Sequence, residues 1–150
     1  MAYDDGWAAL AASGAELVAL PSMSPQNVRP ASYAQRHRYL VVNATLRDNA
    51  TIFNPLGLAD AQRTKPDVLV HRFDLVTAAV HWSARIEEGR IFQRRFGARG
   101  GFVWNAREDS GLFWFNDPQT PAGTMLRELG LETMDAQAGR IEATRRAAMP

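Results

Sequence analysis

At 150 residues, with 46% hydrophobic and 22% charged side chains, the chain has the length of one ordinary domain and the composition of a globular protein. Seventeen basic against sixteen acidic residues leave a formal net charge of +1, so no global field draws it to nucleic acid or to an anionic membrane. There is no cysteine, which excludes disulfides, thiolate metal ligands and a cysteine nucleophile from the chain's own chemistry.

In chain order, residues 7–13 carry Trp7, Ala8, Leu10 and Ala11 at helical spacing, and Gly14 stands where a helix stop is expected. Residues 16–21 form a short apolar run closed by Pro21, which reads as a buried strand. Residues 22–30, rich in Pro and Ser, read as loop, and 31–37 as a short helix. Tyr39-Leu40-Val41-Val42 is strongly strand-forming, Asp48-Asn49 signals a turn, and Ala50-Thr51-Ile52-Phe53 is a second strand. Asn54-Pro55-Leu56-Gly57 reads as a tight turn. A polar stretch follows, and residues 68–73 resume as strand.

The remainder has a different pattern. Residues 78–96 have a partial 3.6-residue period and are expected to be helical, broken by Gly97, Gly100 and Gly101. Phe102-Val103-Trp104 and Leu112-Phe113-Trp114-Phe115 flank Asp109-Ser110-Gly111 as a β-hairpin. Thr120-Pro121 predicts a capped helix with Pro121 at its first position, Met125, Leu126 and Leu129 as its apolar stripe and Gly130 as its stop. A final polar helix starts near Thr133. Together these elements predict an α/β layer with one helical face. The other face of its sheet is left apolar and uncovered, which points to a missing partner in the same gene or in another chain.

The order of motifs resembles the second half of a domain of the nitrilase, or carbon–nitrogen hydrolase, superfamily. Met1-Ala2-Tyr3-Asp4 is similar to the family's nucleophile segment (hydrophobic, Cys, Tyr or Phe, Asp). Gly14-Ala15-Glu16-Leu17-Val18-Ala19-Leu20-Pro21-Ser22 is similar to the strand that follows it, and Tyr39-Leu40-Val41-Val42-Asn43 to the next. Ile52-Phe53-Asn54-Pro55-Leu56-Gly57 resembles the family's strand and Asx-Pro-x-Gly turn, and Val70-His71-Arg72-Phe73-Asp74-Leu75 its last strand. The resemblance covers residues 1–77. Residues 78–150 are a C-terminal extension of hairpin and helices, looser in their likeness to the tail of one branch of the family.

The resemblance implies an α/β fold equal to half of a four-layer α-β-β-α sandwich. It also implies hydrolysis of non-peptide C–N bonds in small amides, carbamoyl compounds or nitriles, without metal or organic cofactor. In that family a cysteine thiolate attacks, a glutamate is general base and a lysine stabilises the oxyanion. Here Ala2 stands at the nucleophile position and Tyr3 supplies the neighbouring backbone N–H. The family's lysine and both glutamates precede its cysteine, so they have no counterpart in this sequence, and Lys65 stands elsewhere, on an expected solvated loop. The chain is therefore expected to be inactive alone, either a piece of a longer enzyme or a degenerate relative. Tyr3, Asp4, Ser22 and Met23 are the implied substrate-pocket residues, the plainer role for Asp4 and Asp5 being to begin a helix.

The other candidates carry less. His37, His71 and His81 lack a carboxylate at metal-ligand spacing, so no metal site is expected. Ser22, His71 and Asp74 lack a Gly-x-Ser-x-Gly elbow, which argues against a hydrolytic triad. Arg90, Arg94, Arg95 and Arg99, interleaved with Phe92 and Phe96, are a possible grip for nucleic acid, but a solvated helix face with inward aromatics is the commoner arrangement. Trp104, Phe113, Trp114 and Phe115 are expected either to cap the core or to form an oligomer interface. A non-catalytic interaction subunit is thus the alternative to a hydrolase part, and a homo-oligomer or a missing N-terminal half is the expected partner. No apolar run approaches the ~20 residues of a membrane span. Asp4 and Asp5 stand where a secretory signal is basic, so a cytoplasmic protein is expected.

Overall fold

The computed structural model describes residues 4–24, 26–45, 49–65, 67–117 and 119–149. Ala2, Tyr3 and Asp48 therefore lie outside the described residues. The fold is mixed α/β, with two sheets and five α-helices among the described residues. It divides into two compact units, Met1–Leu75 and Val76–Pro150.

The first unit begins with α1 (Asp4–Ala12). Its end is set by Gly14, whose φ of 82° is open to glycine without a Cβ penalty. The Gly14 N–H donates to Ala11 O and the Ala15 N–H to Leu10 O, a Schellman closure that satisfies the last carbonyls. The chain continues through β1 (Leu17–Ser22), α2 (Val28–His37), β2 (Leu40–Thr45), β3 (Ala50–Phe53) and β4 (Ala59–Arg63). The strand order is β1-β2-β3-β4, with β1 and β2 parallel and the later pairs antiparallel.

Register places Val18 opposite Val41 and Val41 opposite Phe53, so these three share one sheet face. Trp7 from α1 and Tyr33 and Ala34 from α2 pack on that face, forming one core with Tyr39. The opposite face carries Leu17, Ala19, Val42, Ile52 and Ala61 in mutual register. Ile52 is buried, while Leu17 is 39% exposed.

Several expectations for this unit are corrected. β1 is an edge strand with alternating exposure rather than a buried one, which is why Pro21 costs it no ladder bond. Residues 28–30 belong to α2, since proline is tolerated in a first turn whose N–H groups have no intrahelical partner. The polar stretch after Gly57 contains β4, an exposed edge that needs little apolar content. Residues 68–73 form no strand: Val68 is 72% and Val70 86% exposed, and β-propensity without a pairing partner does not make a ladder.

The second unit holds β5 (Thr77–His81), α3 (Arg90–Phe96), β6 (Gly100–Asn105), β7 (Ser110–Phe115), α4 (Ala122–Glu128) and α5 (Met134–Ala147). β7 is the central strand of an antiparallel sheet ordered β5-β7-β6. Val80, Ile86, Phe92, Phe96, Phe113, Phe115, Met125, Leu126 and Leu131 form its core.

The long helix expected over 78–96 is overturned. Its first part pairs with β7 as β5, and positive φ at Glu87 and Glu88 interrupts the chain before α3. The hairpin turn spans residues 106–109 rather than 109–111, because Ser110 and Gly111 pair with Asn105 and Trp104 inside the ladder. Pro121 is the N-cap of α4 rather than its first residue, and the Thr120 hydroxyl donates to Asp117 instead. Gly130 does end α4, with φ 70° and the Leu131 N–H donating to Leu126 O. Thr133 caps α5 through its side chain, which accepts from the Ala136 N–H.

Candidate binding cleft at the end of β1

Where β1 ends and α2 begins, the chain must turn over the top of the sheet, and the loop there is held by specific bonds. The Ser22 hydroxyl donates to Ser24 O and accepts from the Ser24 N–H, at 3.1 and 3.2 Å. From the neighbouring strand, Asn43 Nδ2 donates to Gln26 O at 3.0 Å. Asn43 is 1% exposed, and its Oδ1 is buried without a donor. A second amide group reinforces the corner: Asn49 Nδ2 donates to Asn27 Oδ1 at 2.9 Å, while Asn49 Oδ1 accepts from Gln62 Nε2 at 3.0 Å and from Thr51 Oγ1 at 3.3 Å.

This arrangement leaves the start of α2 unusual. Asn27 is the N-cap, yet its side chain makes no capping bond to its own helix and is engaged by Asn49 instead. The first turn has no acidic residue. Its N–H groups therefore keep their partial positive charge, beside the cationic Arg29.

A shallow cleft of about 40 Å³, open to solvent, lies at this corner. Trp7, Leu20, Ser22, Gln26, Arg29, Pro30 and Tyr33 line it. Trp7 is 2% exposed and stacks on Tyr33 with centroids 4.5 Å apart and planes 13° from parallel. Its indole N–H, the only polar group of the side chain, is buried without an acceptor. The stack extends to Tyr39, whose ring centroid lies 6.3 Å from that of Trp7. Burial, then the nearby Asp4 charge and Tyr33, push the Tyr39 phenol up to about 12.

The cleft can bind but carries little that reacts. Among the described residues its lining has no His, Asp, Glu, Lys or Cys. Ser22, the one hydroxyl of an aliphatic residue in the wall, is occupied by Ser24. Among the described residues, no group of three or more His, Cys, Asp and Glu is placed to hold a metal ion.

The sequence-derived pocket residues separate in space. Ser22 lines the cleft. Met23 beside it is 81% exposed and is not part of the lining. Asp4 is held at the far end of α2, its carboxylate 2.8 Å from Arg36 NH1 and 3.5 Å from His37 Nε2. The cleft lies instead at the first turn of that helix. Ala2 and Tyr3 fall outside the described residues. Trp7, Gln26, Arg29 and Tyr33 were missed from sequence, although an arginine in a helix start without an acidic residue was a visible signal.

In the second unit, Arg90 pairs with Glu88 at 3.1 Å and Arg94 with Glu87 at 2.8 Å, while Arg99 lies over the Phe115 ring at 5.0 Å. Phe92 and Phe96 are buried in the core and offer no face for base stacking. Phe113 and Phe115 are core residues too, with Trp104 packed against them. No helix among the described residues is long and apolar enough to cross a membrane. No family model, no curated protein and no solved structure matches the chain.

Proposed function

We propose that the chain is the C-terminal part of a carbon–nitrogen hydrolase of the nitrilase type, inactive by itself toward amides and nitriles. The observation that carries this reading is the cleft at the carboxyl end of β1, the kind of position where α/β folds take their ligands. It opens at Pro21-Ser22, the end of the segment that resembles the family's strand beyond the nucleophile. Of the other resembling segments, two fall on β2 and on β3 with the turn after it, adjacent members of the same sheet, while Val70–Leu75 forms no strand and Met1–Tyr3 lie outside the described residues. The apolar second face of that sheet, with Leu17, Ala19 and Val42, fits half of a two-sheet sandwich.

The chemistry of the wall agrees with inactivity. It supplies positive groups and aromatic surface, while the chain has Ala2 where the resemblance needs a thiol and no cysteine anywhere. In such an enzyme the base and the oxyanion lysine belong to the part that precedes this one.

Genomic DNA read in frame ahead of the Met1 codon tests the proposal. In-frame upstream segments that bear a cysteine, glutamates and a lysine are expected. The extended protein is then expected to release ammonia from a simple amide, and to lose that activity when the cysteine becomes serine. Amide turnover by the purified 150-residue chain, or an extended protein active without that cysteine, refutes it.

A further inference from the structure

We infer that β6 is a docking edge, on which β6 of a second copy of this chain pairs antiparallel about a two-fold axis at Phe102 and joins the two sheets into one. The inference concerns the second unit alone and does not depend on the hydrolase reading.

An edge strand exposes a row of backbone N–H and C=O groups, and proteins blunt it with proline, charge, irregular register or a covering element. Three of the four edges among the described strands are treated in this way. β1 carries Pro21. β4 carries Asp60 and Arg63, and its register against β3 shifts. α5 packs against β5. β6, Gly-Gly-Phe-Val-Trp-Asn, has neither charge nor proline, and its register against β7 is unbroken from Gly100 to Asn105. Gly100, Gly101, Phe102, Val103 and Trp104 are all partly exposed. The turn of residues 87–89 packs on β7 as well as on β6, so it lies over a sheet face rather than along the edge.

The backbone fixes which groups the edge presents. The Asn116 N–H donates to Arg99 O at 2.7 Å, which makes Gly100 and Phe115 a pair whose own backbone groups point away from each other. Alternation along the ladder then turns the N–H and C=O of Gly100, Phe102 and Trp104 outward, and among the described residues these groups have no backbone partner.

A second copy can meet them with the same groups of its own, which is β-strand addition between identical edges. With the axis at Phe102 the whole strand is engaged: Phe102 faces its copy, Gly100 faces Trp104, and Gly101 faces Val103. Each of the two large side chains beyond Phe102 then stands opposite a glycine. The Trp114 ring lies over Gly101, and the Phe92 and Phe115 rings lie beside Gly100, so Val103 and Trp104 arrive against aromatic surface. Arg99 falls opposite Asn105, and no like charges meet.

Sedimentation of the 150-residue chain over a concentration series, with NMR on the same samples, tests the inference. A reversible dimer is expected, with amide exchange at Gly100, Phe102 and Trp104 slowing as it forms. A mixture of labelled and unlabelled chain is expected to show an intermolecular contact between the α-protons of Gly101 and Val103. Val103→Lys brings like charges together across the axis and is expected to weaken the dimer by about tenfold or more, whereas Val103→Ile keeps it. Ala61→Lys, on the apolar face of the first sheet, is expected to leave the dimer unchanged. A chain that stays monomeric at every concentration overturns the inference. So does a dimer that withstands Val103→Lys, one that Ala61→Lys abolishes, or one in which Phe102 exchanges as fast as in the monomer. Where Val103→Lys fails to fold, the exchange and the α-proton contact in the unaltered chain decide.

Discussion

Tyr39 concentrates the physical chemistry of the first core in one side chain. It is 1% exposed, its ring joins the Trp7 stack, and its hydroxyl is buried with no partner. A hydroxyl in that state costs free energy that removal recovers, because replacing a group that bonds nothing leaves no new orphan. Tyr39→Phe is therefore expected to hold or raise stability, by up to about 1 kcal/mol in urea unfolding; a loss of that size would show that the hydroxyl has a partner. The phenol's raised pKa gives a second measurement. Because the folded value of about 12 exceeds the ordinary 10.0, the neutral form stabilises the fold below pH 10, and that contribution is lost as pH climbs from 10 to 12. Tyrosinate absorbance in an alkaline titration should include one late group that disappears in Tyr39→Phe.

At the scale of an element, the turn between β3 and β4 shows how one side chain replaces several backbone partners. Asn54 Oδ1 accepts from the Leu56 N–H at 2.9 Å and the Leu58 N–H at 3.2 Å, and Asn54 Nδ2 donates to Asp60 at 2.7 Å. Gly57, with φ 74°, lets the chain reverse, and its N–H donates to Asn54 O. Asn54 is 1% exposed and Leu56 2%, so water cannot take over these bonds cheaply. Asn54→Ala is expected to cost about 2–3 kcal/mol, measured by chemical denaturation, from two buried donors left unsatisfied. A cost below about 0.5 kcal/mol would mean the turn stands on backbone geometry alone. The sequence announced this turn through its Asn-Pro-x-Gly spacing. It did not announce the loop network at the cleft, where Asn43 reaches Gln26 and Asn49 reaches Asn27 across 17 and 22 residues.

At the scale of the whole molecule, the chain is two compact units joined near Leu75 and Val76. The stretch before that junction has no regular secondary structure, and Val68, Val70, Leu75 and Val76 are all between 45 and 86% exposed. Backbone without ladder or helix bonds is where proteases cut. Limited proteolysis is expected to nick first between residues 68 and 76 and to release two fragments of about half the mass. First cuts inside β2 or β7 would contradict the division.

Local rules were sufficient wherever the determining interactions were short in sequence. Gly14 and Gly130 as helix ends, the Asn54–Gly57 turn, the Thr133 cap, and the strands around Tyr39, Ile52, Phe102 and Phe113 all follow from neighbours a few residues apart. Tertiary pairing decided the rest. Residues 77–81 became a strand because β7 offered a ladder, whereas the equally apolar residues 68–73 stayed irregular for want of one. The cleft depends in the same way on distant parts of the chain. Trp7 and Arg29 are 22 positions apart in sequence, and only the packing of α1 and α2 on one sheet face brings the two residues into one wall.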